Sequence, residues 1–407
     1  MRKKVVELSH RYGGDLHWII RGGGNVSIKD DASMWIKASG SNLRTLHPDG
    51  FVRMEREKLD AIWTKEYPAE VEEREAEAKR DLLNARAPGQ DEKRPSVETM
   101  MHALFPHVVV FHSHPTLVNA LGCADGGQAV ARELFGDELL WIPTINPGIV
   151  LSKQMYSEIA GYRRERAGAY PLLIVLENHG LVVFGDTAEA IEEKHRVIAE
   201  RIRATLSRPL REAYDSWPTD EPAVLAAYAL EPERSAGAPA TGGDAKSFDR
   251  SRTQRVGEIV RSALRDGPER EPAVLADRSK LFDQFLVDKT KFAPLDGAYT
   301  PDHIVYAGHR PAWAESVDSV AATIAAYRSE EGCDPKILAA RGIGVFAIGS
   351  SRTKAEAALL LAHDAAKLAL LTEAFGGVRF MPPHEVSFIR NWEVEQFRAE
   401  VGEGKKT

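Results

Sequence analysis

The sequence predicts an α/β protein. Short apolar runs rich in β-branched residues, such as 108–111, 172–176 and 181–184, are typical of buried strands. They alternate with longer stretches of helical spacing, such as 187–203. A stretch of small, proline and glycine residues at 231–247 predicts a linker between a first domain, 1–230, and a C-terminal α/β domain, 248–407.

Composition and charge exclude several classes of protein. A hydrophobic content of 43% is ordinary for a globular chain of 407 residues. The net charge is −7 and basic residues are interspersed among acidic ones, so the sequence shows no basic cluster that would bind nucleic acid. No apolar stretch approaches the roughly 20 residues of a membrane span. The N-terminus lacks the apolar core of a secretory signal, so we expect a cytoplasmic protein.

Two histidines at the end of a predicted strand form the first half of a metal site. The apolar run 108–111 leads into His112 and His114, which are two residues apart and so point to the same side of an extended strand. Imidazoles fixed at a strand end are suitable ligands for Zn²⁺ or another divalent metal ion. The alternative is that both are ordinary strand-end residues without a ligand.

A third histidine strengthens the metal prediction. His179 follows the apolar run 172–176 and precedes Gly180 and a second apolar run, which indicates a turn between two buried strands. Three protein ligands leave one coordination position open, as in catalytic zinc sites. The chain has two cysteines, which excludes a cysteine-rich structural site.

A carboxylate precedes the histidines. Ser96 is predicted to cap a helix over 97–104, with Glu98 in the first turn, where the helix dipole favours the charged form. The alternative is that Glu98 is an ordinary solvent-exposed carboxylate. His195, on the predicted helix 187–203, is expected to pack rather than to bind a metal.

Two small-residue loops complete the candidate site. Three consecutive glycines, 22–24, allow backbone amides to approach an anion closely, and a second such loop begins at Ser39 and Gly40. Together with the predicted helix start at Ser96 they form a candidate phosphate site. A flexible hairpin turn is the alternative for the glycines.

Five motifs in order resemble the class II aldolase/adducin family. They lie at residues 22–27, 38–42, 96–98, 112–115 and 178–180. Further segments at 141–143, 146–148, 300–303 and 344–349 are most similar to the aldolase portion of bifunctional rhamnulose-1-phosphate aldolase/short-chain dehydrogenase proteins. By this resemblance a dehydrogenase part would follow beyond residue 400, and we expect it to be absent from this sequence.

The resemblance implies a fold and a reaction. The fold is a three-layer αβα sandwich with a mainly antiparallel central sheet, in a homo-oligomer. The reaction is metal-dependent cleavage of a ketose 1-phosphate, resembling rhamnulose or fuculose 1-phosphate, to dihydroxyacetone phosphate and an aldehyde through a metal-stabilised enediolate. The implied roles are metal binding by His112, His114 and His179, proton transfer by Glu98, and phosphate binding by Gly24, Asn25, Ser39, Gly40 and Ser96.

Other activities use the same site. The family also contains sugar-phosphate 4-epimerases, and a decarboxylase of a 3-oxo acid phosphate would need the same metal. A non-catalytic adducin-like scaffold is a third alternative, which would be expected to have lost ligands. A TIM-barrel aldolase is rejected because no eightfold βα rhythm is present.

The C-terminal half resembles the N-terminal half weakly. The run 344–349 matches 180–185, and each precedes a helical stretch rich in alanine and glutamate. In this alignment Ile343 replaces His179, which predicts a metal-free degenerate repeat; common strand–turn–helix patterning is the alternative. A strand is predicted at 301–306. The glycines at 342, 344 and 349 lack the spacing of a dinucleotide-binding loop.

Overall fold

A computed structural model describes residues 1–230, 250–265, 271–277 and 279–392. These residues form two compact units. One comprises Met1–Arg211, Ala374–Gly376 and the segment from Asn391, and the other comprises Glu212–Glu373 and Gly377–Arg390. The predicted linker, 231–247, lies outside the described residues, and the predicted domain boundaries remain a prediction.

Helices and strands alternate along the described ranges. The strands are β1 (Asn25–Lys29), β2 (Ser33–Lys37), β3 (Phe51–Glu55), β4 (Val109–Ser113), β5 (Leu139–Ile142), β6 (Leu173–Leu176), β7 (Gly180–Gly185), β8 (Ala229–Leu230), β9 (Ala273–Asp277), β10 (Ala312–Ala314), β11 (Ile337–Ala340) and β12 (Gly344–Gly349). The helices are α1 (Arg2–Gly13), α2 (Arg56–Trp63), α3 (Val71–Asn84), α4 (Thr99–Ala103), α5 (Thr116–Gly122), α6 (Gly127–Phe135), α7 (Ile149–Glu165), α8 (Ala188–Thr205), α9 (Arg208–Ser216), α10 (Glu221–Tyr228), α11 (Arg250–Leu264), α12 (Lys289–Phe292), α13 (Val320–Glu331), α14 (Arg352–Thr372) and α15 (Pro383–Asn391).

The first unit is built on a seven-stranded sheet in the order β3-β2-β1-β4-β7-β6-β5. Only the β5–β6 pair is parallel; the other neighbours are antiparallel. Buried side chains of α4 and α7 pack on one face of the sheet, while α1, α5 and α8 pack on the other. The predicted αβα sandwich with a mainly antiparallel sheet is confirmed.

The second unit contains a five-stranded sheet in the order β10-β11-β12-β9-β8. Its β10–β11 pair is parallel and the other pairs are antiparallel. Residues of α11 and α13 form a buried core with this sheet, and α14 packs against β9 and β12.

Two predicted local structures are wrong. The helix after Ser96 begins only at Thr99, and Glu98 occupies its N-cap position with no side-chain capping bond. Pro95 forms a β-bridge with Ala38, and residues 96–98 then form a turn in which the Thr99 backbone N–H donates to the Ser96 carbonyl at 3.1 Å. The predicted strand 301–306 is instead a π-helical turn, His303–Ala307, packed against α14; a short apolar run does not distinguish a strand from a buried helical turn.

Within the described ranges, no helix combines the length and the apolar character needed to cross a membrane.

Candidate metal centre and acid–base site

Three histidine side chains converge at one end of the first unit's sheet. One ring nitrogen from each of His112, His114 and His179 lies within 4.8 Å of the other two. Among the described residues, no other group of three His, Cys, Asp or Glu side chains has potential metal ligands this close together. The Nε2 atoms of His112 and His114 are 3.0 Å apart. Two nitrogens bound to one zinc ion, with Zn–N distances of about 2.0 Å, lie about 3.3 Å apart. The cluster therefore fits a divalent metal ion.

The register of the sheet explains this convergence. In β4, His112 lies between Asn25 of β1 and Val182 of β7. The β6–β7 hairpin closes at the Leu176–Gly180 pair, so its turn carries His179 to the same end of the sheet. Positions separated by 67 residues in sequence, from His112 to His179, thus become neighbours.

Two glycines allow the histidines to approach the backbone. A Cβ atom on Gly180 would lie 2.5 Å from the Ser113 carbonyl oxygen and 2.8 Å from Cδ2 of His114. A Cβ on Gly24 would lie 2.7 Å from the His112 carbonyl oxygen, and Gly24 also has a φ of +67°, which disfavours any residue with a side chain. Both glycines are required by the close packing around the ligands.

The His112 ring is oriented by the neighbouring strand. Its Nδ1 lies 3.0 Å from the carbonyl oxygen of Leu181, which can only accept a hydrogen bond. Nδ1 therefore carries the proton and donates it, and Nε2 keeps its lone pair for the site. Metal-binding histidines are commonly held in this way.

Glu98 completes the cluster. Its Oε1 lies 3.5 Å from Nε2 of His112 and 3.4 Å from Nε2 of His179. This oxygen is buried and accepts no hydrogen bond, whereas Oε2 accepts one from the Asn25 amide at 2.5 Å. A buried carboxylate oxygen facing three imidazoles fits a site that holds a cation and exchanges a proton.

The electrostatic environment keeps Glu98 ionised. Burial raises its pKa, but His112, His179 and His114 in their protonated forms outweigh burial and lower the pKa to about 2. A divalent cation held by the neutral imidazoles would act in the same direction. The carboxylate therefore stays ionised at neutral pH.

Three of the five predicted phosphate-binding residues, Asn25, Ser39 and Ser96, are hydrogen-bonded to or within the segment 94–98. Ser96 Oγ accepts hydrogen bonds from the Asn25 amide at 3.3 Å and from the Glu98 backbone N–H at 3.2 Å. The Ser39 backbone N–H donates to the carbonyl of Arg94 at 2.9 Å, which ties the second loop to this segment.

The two remaining members of this group are glycines with positive φ. Gly40 has a φ of +80° and follows Ser39, and Gly24 precedes Asn25 at the start of β1. The Asn25 side chain is already bonded to Ser96, Glu98 and His102.

Two residues of the site were not identified from the sequence. His102 and Ser27 are fully buried and hydrogen-bonded to one another at 2.9 Å, and His102 also bonds to Asn25. A sequence signal existed for both, because His102 lies one helical turn after Glu98 and Ser27 lies two residues after Asn25 on the same strand face.

His195 packs within the core, away from the cluster. Both ring nitrogens are buried without a hydrogen-bond partner. The ring lies between Tyr12, Trp18 and Phe111, with centroid distances of 4.4, 4.6 and 5.3 Å. Burial lowers the pKa of His195 to about 3.

A family model describes this half of the chain. Residues 3–205 match the class II aldolase and adducin N-terminal domain. Residues 3–205, which are just under half of the chain, are therefore similar to this domain. The match contains all three histidines, Glu98 and both small-residue loops.

Among curated proteins, the uncharacterized oxidoreductase YuxG of Bacillus subtilis is 29% identical over 201 residues. The match covers 47% of this chain but 27% of YuxG, so the chain matches about a quarter of that relative's length.

Solved structures with class II aldolase domains are also similar. The N-terminal class II aldolase domain of a conserved Thermoplasma acidophilum protein is 27% identical with a TM-score of 0.41, over 49% of this chain and 91% of that one. L-Fuculose-1-phosphate aldolase of Thermus thermophilus is 16% identical with a TM-score of 0.31, over 50% of this chain and 92% of that one.

Proposed function

We propose that this protein is a divalent-metal-dependent aldolase that cleaves a ketose 1-phosphate, of the rhamnulose or fuculose type, to dihydroxyacetone phosphate and an aldehyde. The observation that carries the proposal is the buried Oε1 of Glu98, which accepts no hydrogen bond and lies beside His112 and His179 of the three-histidine cluster. The family of the N-terminal half supports the reaction class.

His112, His114 and His179 would hold the metal ion, zinc or another divalent cation. When bound, this ion supplies Lewis-acid stabilisation of the negative charge that develops on the ketose oxygens. The histidines contribute neutral nitrogen ligands, and the Leu181 carbonyl fixes the tautomer of His112. Three ligands leave room for substrate oxygens.

Glu98 is the proposed acid–base residue. In the direction of condensation its carboxylate removes a proton from the carbon beside the carbonyl of dihydroxyacetone phosphate. In the direction of cleavage, the hydroxyl of the carbon that becomes the aldehyde releases its proton as the carbon–carbon bond breaks. The electron pair of that bond remains on the carbon beside the carbonyl, and Glu98, having taken up the released proton, delivers it there. A carboxylate within reach of the reacting carbon suits this transfer.

The phosphate of the substrate is proposed to lie against Gly24, Asn25, Ser39, Gly40 and Ser96. The support is that Asn25 is hydrogen-bonded to Ser96 and Glu98, and Ser39 to Arg94, while Gly24 and Gly40 adjoin Asn25 and Ser39 in the sequence. Glycines in both loops let backbone approach an anion closely.

Sugar-phosphate 4-epimerase and 3-oxo acid phosphate decarboxylase remain the alternative activities, because both need the same metal and the same stabilisation of charge. A non-catalytic scaffold is disfavoured, because it would not need three converging imidazoles beside a buried carboxylate oxygen.

The test is a cleavage assay on a panel of ketose 1-phosphates, with dihydroxyacetone phosphate detected by coupled reduction. We expect release that is abolished by a chelator and by His179→Ala, whereas the core variant His195→Phe retains it. Metal binding without release on any substrate would favour epimerase or decarboxylase. Absence of bound metal would refute the three-histidine site.

We further propose that the second unit is a metal-free copy of the first. A constant shift of 164 residues relates the paired strands: Val110–Phe184 corresponds to Val274–Ile348. The parallel β5–β6 pair corresponds in topology to β10–β11; β6 and β11 are related by the same shift, whereas β5 and β10 are related by a shift of 172 residues. The shift of 164 residues relates the two helix caps, Thr187 of α8 and Ser351 of α14.

The same shift identifies the residues of the second unit that correspond to His112 and His179. Ala276 of β9 corresponds to His112, since their partners, Phe346 and Val182, correspond as well. Ile343 corresponds to His179. Neither apolar side chain can bind a metal, so one metal ion per chain is expected. Metal that remains bound in the His179→Ala variant at one equivalent would contradict this assignment.

A further inference from the structure

A buried hydrogen-bond chain leads from the interior of the first unit to Glu98. Ser27 Oγ lies 2.9 Å from Nδ1 of His102. Nε2 of His102 bonds to the Asn25 side-chain oxygen, and the Asn25 amide nitrogen lies 2.5 Å from Oε2 of Glu98. All four residues are at least nine-tenths buried. We call this set the Ser27–Glu98 chain.

The placement of the Asn25 amide gives the direction of each hydrogen bond. Its nitrogen, which can only donate, lies beside Oε2 of Glu98, and its oxygen lies beside Nε2 of His102. The same NH₂ also reaches Ser96 Oγ at 3.3 Å. The Asn25 oxygen therefore faces His102, whose Nε2 must carry a proton. Burial lowers the pKa of His102, so the ring is neutral and its Nδ1 accepts from the Ser27 hydroxyl.

This arrangement separates the two oxygens of Glu98. Oε2 is held by Asn25, and Oε1 faces the three histidines without a hydrogen bond. If the Asn25 amide turned over, its oxygen would face the carboxylate and repel it. His102 opposes this rotation while its proton is on Nε2, because a donor there matches the Asn25 oxygen and not the NH₂.

We propose that His102 and Ser27 are positioning residues that fix the Asn25 amide and so reserve Oε1 of Glu98 for the reacting proton. The proposal rests on the proposed function for the identity of the reaction. The Ser27–Glu98 chain itself can be tested without any substrate.

Two substitutions at His102 separate positioning from packing. His102→Gln places an amide NH₂ near the position of Nε2 and keeps a donor for Asn25. His102→Asn is shorter and keeps only the acceptor for Ser27. With metal-loaded protein we expect His102→Gln to stay within about 3-fold of wild-type kcat. We expect His102→Asn to lose about 10- to 100-fold in kcat with little change in KM, because small displacements of a catalytic group have effects of this size.

Nuclear magnetic resonance of ¹⁵N-histidine-labelled, zinc-loaded full-length protein supplies the readout that needs no activity. The His102 signals, assigned by their loss in His102→Gln, should show a protonated Nε2 and an unprotonated Nδ1. In Ser27→Ala the Nδ1 signal should shift while zinc remains bound at the same stoichiometry.

The outcomes decide the proposal separately from the reaction. A proton on Nδ1 instead of Nε2 overturns it whatever substrate is cleaved. Equal losses of kcat in His102→Gln and His102→Asn also overturn it, since only packing would then matter. If no sugar phosphate is cleaved but His102 has the expected tautomer, the Ser27–Glu98 chain stands and the proposed reaction fails.

Discussion

The buried His195 should make the stability of this protein depend on pH. Its ring is fully buried among Tyr12, Trp18 and Phe111 with neither nitrogen hydrogen-bonded. Burial lowers its pKa from 6.5 to about 3. Below pH 6.5 the unfolded chain therefore binds a proton at this position that the folded chain does not, so acid favours unfolding.

The magnitude follows from the two pKa values. Stability contributed by the neutral ring is fully present above pH 6.5 and is lost progressively as the pH falls towards 3. At pH 5 the loss covers about 1.5 pH units at about 1.4 kcal/mol per unit, or about 2 kcal/mol. This is a substantial part of the roughly 5–15 kcal/mol that stabilises a folded domain.

The assay is urea unfolding of wild type and His195→Phe at pH 7 and pH 5, with a chelator present so that metal release contributes nothing. We expect the variant to lose about 2 kcal/mol less than wild type between the two pH values. An identical pH dependence in wild type and His195→Phe would refute the reasoning.

Three further predictions concern the site and the helix caps. Gly180→Ala should weaken zinc binding about 10- to 100-fold in a competition titration. Gly161→Ala is the control and should bind zinc as wild type does, because its Cβ would meet only an Arg164 nitrogen at 3.9 Å. Equal zinc affinities of the two variants would contradict the close packing around the histidines. Glu98→Gln should reduce cleavage at least about 100-fold while one metal remains bound, and wild-type cleavage would exclude Glu98 as the proton-transfer residue. Thr187→Ala and Ser351→Ala should each destabilise the protein by about 1 kcal/mol in urea unfolding, because each side chain caps a helix; no loss in either variant would argue against its cap.

Much of the fold was predictable because its signals are local. The strands at 109–113, 173–176 and 180–185 coincide with apolar runs that have clear ends. The Thr187 side chain caps α8, as threonine commonly does at a helix start. The sequence predicts a strand at 301–306, where the structure has the π-helical turn His303–Ala307. The periodicity of so short an apolar run does not distinguish the two.

The sequence by itself determined the candidate ligands. His112 and His114 are two residues apart on a strand, and the alternation of side chains along a strand brings them to one side at whatever place the strand occupies. The motif order also identified His179 and Glu98, although nothing in the spacing shows that they meet.

Only the tertiary structure decided how these residues act together. The register between β1, β4 and β7 places Asn25 beside His112 and brings the β6–β7 turn to the same end of the sheet. The helix begins only at Thr99, so Glu98 occupies its N-cap position, and one oxygen of Glu98 lies beside His112 and His179 instead of capping the helix. Hydrogen bonds between residues more than 70 positions apart, such as Asn25 to Glu98, depend on strand pairing and burial across the whole sheet, which no local pattern encodes.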